Sequence, residues 1–90
     1  MDFKLTNFNW TEIENLEADK KYYLQSRIFI KRDEGGNTVY KYDVEFTKSA
    51  SIPEGNGIVT SDILFTKSDD KKIYVRAMEA LTNIHIEEIV

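Results

Sequence analysis

Residues 21 to 48, KYYLQSRIFIKRDEGGNTVYKYDVEFTK, form two runs of alternating apolar and polar residues joined across Glu34, Gly35 and Gly36. Successive strand side chains point to opposite faces. Tyr22, Leu24, Ser26, Ile28 and Ile30 therefore share one face of the first run, and Tyr23, Gln25, Arg27, Phe29 and Lys31 the other. In the second run Thr38, Tyr40, Tyr42, Val44 and Phe46 lie opposite Val39, Lys41, Asp43, Glu45 and Thr47. The even-numbered face is the more apolar in both, and the pattern predicts a long β-hairpin. Two even faces meet only if paired residue numbers have an even sum, which requires a loop of odd length and excludes a two-residue turn. A loop of Glu34, Gly35 and Gly36 satisfies this and puts glycine where a left-handed conformation is wanted. It pairs Ile30 with Tyr40, Ile28 with Tyr42, Ser26 with Val44 and Leu24 with Phe46. A loop of Gly35, Gly36 and Asn37 keeps the same faces together. A slip by one residue would bury Lys41, Asp43 and Glu45 and is rejected for that reason.

Upstream of the hairpin, Phe3 and Leu5 alternate with Lys4 and Thr6 and predict a short strand. Thr11, Glu12, Ile13 and Glu14 match a capping box, and Ile13 and Leu16 stand one turn apart, so a short helix is expected to end near Asp19. The same residues also fit an acidic loop with two apolar anchors.

Downstream, Ser49 to Gly57 holds the only proline and two of the four glycines and marks a loop, longer than a hairpin needs. Ile58 to Lys67 predicts a third long strand. Its apolar residues fall on both faces, as in a central strand. From Ser68 the period changes: Ser68 suits an N-cap, Asp69 and Asp70 suit a helix start, and Ile73, Ala77 and Leu81 recur every fourth residue with Tyr74 and Met78 beside them. These predict an amphipathic helix ending near Thr82 and Asn83. The alternative makes Lys71 to Arg76 a strand hairpinned onto Ile58 to Lys67, but Ala77, Met78, Glu79, Ala80 and Leu81 favour a helix. Ile84 to Val90 reads as a terminal strand, with Ile84 and Ile86 on one face, His85 and Glu87 on the other, and an irregularity at Glu88.

The resulting order is β, short α, β, β, β, α, β: an α+β fold, a small antiparallel sheet built on the long hairpin with one helix from the C-terminal half packed on a face. If the Ser68 helix fails, the fold becomes an all-β small barrel or sandwich. The expected core is Phe3, Leu5, Ile13, Leu16, Leu24, Ile28, Ile30, Tyr42, Val44, Phe46, Ile63, Phe65, Ile73, Ala77, Leu81, Ile84 and Ile86.

Ninety residues make one expected domain, 1–90. Twelve Lys and Arg against 16 Asp and Glu give a net charge of -4, with both signs interspersed, which argues against a duplex nucleic-acid binder. With no cysteine there is no disulfide framework and no thiolate metal site, and the cytoplasm is the expected compartment. No signal-like start is present and no apolar run approaches the ~20 residues of a membrane span, so no membrane association is expected.

Catalytic signatures are lacking. One histidine and no cysteine cannot assemble the usual zinc or iron ligand sets, and Asp69 with Asp70, or Asp33 with Glu34, lacks calcium-loop spacing. His85 reads as structural; Glu87 and Glu88, adjacent on a strand, point apart and cannot act as a glycosidase pair. The glycines lack the context of a phosphate loop. No enzyme activity, cofactor or metal is expected.

What remains is surface. Tyr23, Arg27, Phe29, Lys31 and Lys41 interleave rings and cations on the odd face of the hairpin. Such a face anchors a protein through Tyr and Arg, or stacks single-stranded bases, or simply packs beneath another segment. The expected function is a non-enzymatic protein-binding module, an accessory or inhibitory factor. In size, acidity and lack of catalytic residues the chain resembles small phage-encoded inhibitors of host defence, a likeness of composition only. The alternative is a single-stranded nucleic-acid binder using Phe29 and Tyr23 on bases and Arg27, Lys31 and Lys41 on phosphates. Open sheet edges also permit a homodimer.

Overall fold

The computed structural model describes residues 1–26, 28–33, 36–41, 43–78 and 82–90, and for 28–33 and 36–41 the backbone only. In chain order the strands are β1 (Asp2–Leu5), β2 (Thr11–Glu12), β3 (Lys21–Ser26), β4 (Ile28–Asp33), β5 (Gly36–Lys41), β6 (Val44–Ser49), β7 (Ile58–Thr60), β8 (Asp62–Thr66), β9 (Lys72–Ala77) and β10 (Thr82–Glu88). They make two four-stranded antiparallel sheets, ordered β1-β10-β3-β8 (sheet A) and β2-β9-β6-β7 (sheet B), and a two-stranded ribbon in which β4 pairs with β5. The described residues contain no helix.

The architecture is thus a β-sandwich carrying a ribbon, and the α+β expectation is overturned in favour of the all-β alternative. Lys72–Ala77, expected in the second helix, is a strand. Ile73 and Ala77 fit both a four-residue and a two-residue period, and Val75 separates them. On a helix it would face away from that stripe; on the strand it joins them on one face, and all three are buried. Nor does β9 hairpin onto β8: it pairs with β6 and β2 in the facing sheet. The Ser68 region is instead a turn in which the Lys67 ammonium donates to the carbonyls of Ser68 and Lys71. Glu79, Ala80 and Leu81, which weighed most for the helix, lie outside the described residues.

The short helix after Thr11 is replaced by a two-residue strand and a loop. Asn15 and Asp19 both take positive φ, 67° and 63°, which no α-helix accommodates and which Asn and Asp tolerate best. Ile13 is buried and its N–H donates to the Ile73 carbonyl, while Leu16 packs partly against the core, so these are the two apolar anchors of the loop reading. β1 forms as expected, β10 runs from Thr82 to Glu88 where Ile84 to Val90 was expected and stays in register at Glu88, and Ala50–Gly57 carries no strand.

The long hairpin is redistributed. Leu24 lies in sheet A and Phe46 in sheet B, so the pairing of Leu24 with Phe46 and of Ser26 with Val44 is replaced by a meeting across the core. Each arm thereby gains two neighbouring strands instead of one: β3 sits between β10 and β8, β6 between β9 and β7. Only the far half remains a ladder, with Ile28↔Lys41, Phe29↔Tyr40, Ile30↔Val39, Lys31↔Thr38, Arg32↔Asn37 and Asp33↔Gly36. These sums are odd, the one-residue slip rejected above. The objection fails because the arms part before Val44: Asp43 is exposed and Glu45 faces outward, while Val44 and Phe46 stay buried. Glu34 and Gly35, like Arg27 and Tyr42, lie outside the described residues.

Ile58 to Lys67 is likewise not one central strand. It breaks at Ser61 into two edge strands, β7 in sheet B and β8 in sheet A, and Ile58, Val59 and Leu64 are exposed. The core joins Leu5, Tyr22, Leu24, Phe65, Ile84 and Ile86 of sheet A to Val44, Phe46, Ile73, Val75 and Ala77 of sheet B. Phe65 bridges the layers, its ring 5.7 Å from Tyr22 and 5.0 Å from Phe46. Such pairs add about 0.5 to 1.5 kcal/mol beyond simple burial.

Candidate functional site

Of the five residues expected to form one interacting face, Tyr23 alone has its side chain among those described. Tyr23 stands on the outer face of sheet A, half-buried, between its ladder partners Leu64 and Glu87, and its hydroxyl bonds Asp62 Oδ2 at 3.1 Å. Phe29 and Lys31 lie on β4, and Lys41 on β5. Lys41 pairs with Ile28, one position out of phase with Phe29 and Lys31, so these three do not share the single row that an even register required. Arg27 lies outside the described residues. What the structure adds is the ribbon itself: among the described residues β4 and β5 pair with each other and with no other strand.

His85 occupies the outer face of sheet A between two carboxylates, with Nδ1 2.8 Å from Asp2 Oδ1 and Nε2 2.7 Å from Glu87 Oε1. The Glu87 hydrogen bond, then that of Asp2, raises its pKa and favours the imidazolium. An imidazolium clamped on both nitrogens ties β1 to β10, which a general base could not do while keeping a nitrogen available. At the Ser61 break, the Thr60 hydroxyl bonds the main chain of Asp62, and the Ser61 carbonyl accepts from the Ser26 N–H. Among the described residues no three His, Asp or Glu side chains are grouped to hold a metal ion. No helix among them is long and apolar enough to cross a membrane.

Sequence reasoning missed a third cluster, on the outer face of sheet B. The Arg76 guanidinium lies 4.3 Å from the centre of the Trp10 ring and donates to Glu45 Oε2 at 2.7 Å. Glu45 also accepts the Gly57 N–H at 3.0 Å. That N–H and then Arg76 hold the Glu45 carboxyl below the usual range. Gly57 is pressed so close that a Cβ would stand 2.6 Å from the Phe46 carbonyl oxygen and 2.8 Å from Trp10. The group fastens the Ala50–Gly57 loop to the sheet. Its one sequence signal was alternation, which puts Glu45 on an outward face without naming Arg76 opposite.

Compared with protein-family models, curated proteins and solved structures, the chain shows no significant match.

Proposed function

We propose that this chain is a non-enzymatic protein-binding module whose reaching element is the β4–β5 ribbon. The observation that carries it is that, among the described residues, the ribbon pairs with itself alone. A lone two-stranded hairpin is marginal in water, yet this one includes Ile28, Phe29, Ile30, Val39 and Tyr40 in its paired segment. A partner surface supplies the burial that a third strand or a helix would otherwise give. Phe29 and Arg27 are the anchors of the kind that dominates interfaces, with Lys31 and Lys41 at the margin. The radius of gyration, 14.0 Å, exceeds the roughly 12 Å of a fully compact chain of this length, as a ribbon standing off a sandwich requires.

The non-enzymatic part is supported by the clamping of the only imidazole between two carboxylates. Size and acidity again resemble small inhibitors of host defence, and an accessory or inhibitory role in the cytoplasm is the corresponding assignment. Single-stranded nucleic acid is the second reading. It is the weaker one because Tyr23, which it needs for stacking, is bonded to Asp62 and flanked by Glu87.

Capture from lysate of the source cell tests the proposal, using the chain and a variant with Phe29→Ala and Arg27→Ala whose folding is checked by circular dichroism. A protein retained by the first and lost by the folded variant is the expected result; identical captures contradict it. Salt-sensitive binding of a labelled oligonucleotide at micromolar protein would favour the second reading instead.

A further inference from the structure

The side of the sandwich where the chain crosses from β7 to β8 is open. β8 is the last strand of sheet A, and β7 covers β6 only over Val44–Phe46, so Thr47–Ser49 have no strand on that side among the described residues. Between these edges lies a mostly apolar cleft of about 550 Å³, lined by Tyr22, Leu64, Phe65, Ile89 and the two lysines Lys21 and Lys48. Neither lysine makes an ion pair among the described residues, whereas neighbouring Lys20 is held by Glu17 and Glu88.

The hydrogen-bond phase of β8 is fixed by its flanks. The Lys67 N–H donates to the Lys20 carbonyl, and the Ser61 carbonyl accepts from Ser26. Odd residues therefore turn their main-chain groups toward β3, and even residues turn theirs to the free edge. At Asp62 the Thr60 hydroxyl caps both groups. The main-chain groups of Leu64 and Thr66 are directed past the edge, beside the cleft. Leu64, 66% exposed, stands there with Phe65 as the neighbouring inward residue.

We propose that an extended segment of a partner protein, apolar in its middle and acidic at its ends, adds as a strand to β8 at Leu64 and Thr66. Its inward apolar side chain enters the cleft against Phe65 and Ile89, and its carboxylates meet Lys21 and Lys48. Main-chain bonds supply pairing and the cleft supplies selectivity, as in other strand additions. Three features select this occupant over a simple apolar one: directed backbone groups, an apolar hollow one residue out of phase with them, and two unpaired cations at its rim. The site is separate from the ribbon, so its failure would leave the ribbon reading untouched.

The probe is fluorescein-labelled Glu-Val-Thr-Val-Thr-Val-Glu, read by anisotropy against its twin with lysine at both ends, on the full chain. The acidic peptide binds about tenfold more tightly, since two exposed ion pairs change from attraction to repulsion. That preference opposes the net charge of -4, so general electrostatics cannot produce it. N-methylation of the two peptide threonines weakens binding about tenfold by removing donors, and Lys48→Glu removes the preference, since Lys21 then attracts one end while Glu repels the other. Leu64→Pro, tolerated on an edge because that N–H is not used inside the sheet, abolishes binding. Equal binding of the twins, no binding of the acidic peptide, or indifference to N-methylation overturns the proposal. So does a dimer, seen by sedimentation without peptide, that Leu64→Pro converts to monomer.

Discussion

Gly57 and Gly55 stand two residues apart in one loop and answer differently to the same substitution. A Cβ on Gly57 meets backbone oxygen and the Trp10 ring, whereas one on Gly55 meets nothing within 4 Å. Gly57→Ala should cost about 1 to 3 kcal/mol by overpacking, and Gly55→Ala less than about 0.5 kcal/mol; paired thermal melts decide it, and equal melting temperatures would remove the clamp from the account. His85 gives a pH dependence. Its folded pKa lies above the unfolded value near 6.5, so its contribution is complete below that value and is lost as pH rises through the folded one. Both carboxylates are largely exposed, so the loss stays below about 1 kcal/mol. Urea midpoints should fall as pH rises above about 6.5 in the native chain, and His85→Gln should flatten that fall. An unchanged slope would mean the clamp is energetically silent.

At the scale of elements, alternation made faces legible and left partners illegible. Leu24, Val44, Phe46, Ile84 and Ile86 were expected in the core and are buried there, because a period of two fixes which side of a strand is apolar. The same period cannot say whether two apolar faces share a ladder or oppose each other across a core, and for β3 and β6 the second holds. Ser61 shows the same limit. Two apolar stretches there, residues 58–59 and 63–65, read as one strand but serve two sheets, and Tyr22 and Val75 joined the core unanticipated. The Ser68 helix was misread because Ile73 and Ala77 satisfy both periods. Of the candidate face, alternation did not tell that Tyr23 would belong to the sandwich and Phe29 to the ribbon. Since β4 and β5 pair with no other strand among the described residues, replacing residues 28–41 with a short glycine-containing loop should leave the sandwich folded, with Tm changed by less than about 8 °C. Cooperative unfolding lost altogether would show that the ribbon is part of the core.

The whole molecule is a sandwich in which the chain changes sheets repeatedly: on either side of β2, across the ribbon, at Ser61, and again on either side of β9. Contacts are mostly between residues distant in sequence, so refolding should take milliseconds to seconds, with the slow range typical of β-sandwiches. A microsecond refolding phase with full amplitude would speak for a local, helical fold. The most direct measurement is the pattern of main-chain nuclear Overhauser effects in the isotope-labelled chain. Contacts are predicted between β6 and β9, as at Phe46 and Val75, and between β3 and β10, as at Leu24 and Ile86. Packed sheets lie about 10 Å apart, so main-chain contacts between Leu24 and Phe46 should be absent; a continuous ladder joining Leu24 to Phe46 and Ser26 to Val44 would contradict the sandwich and the free ribbon together.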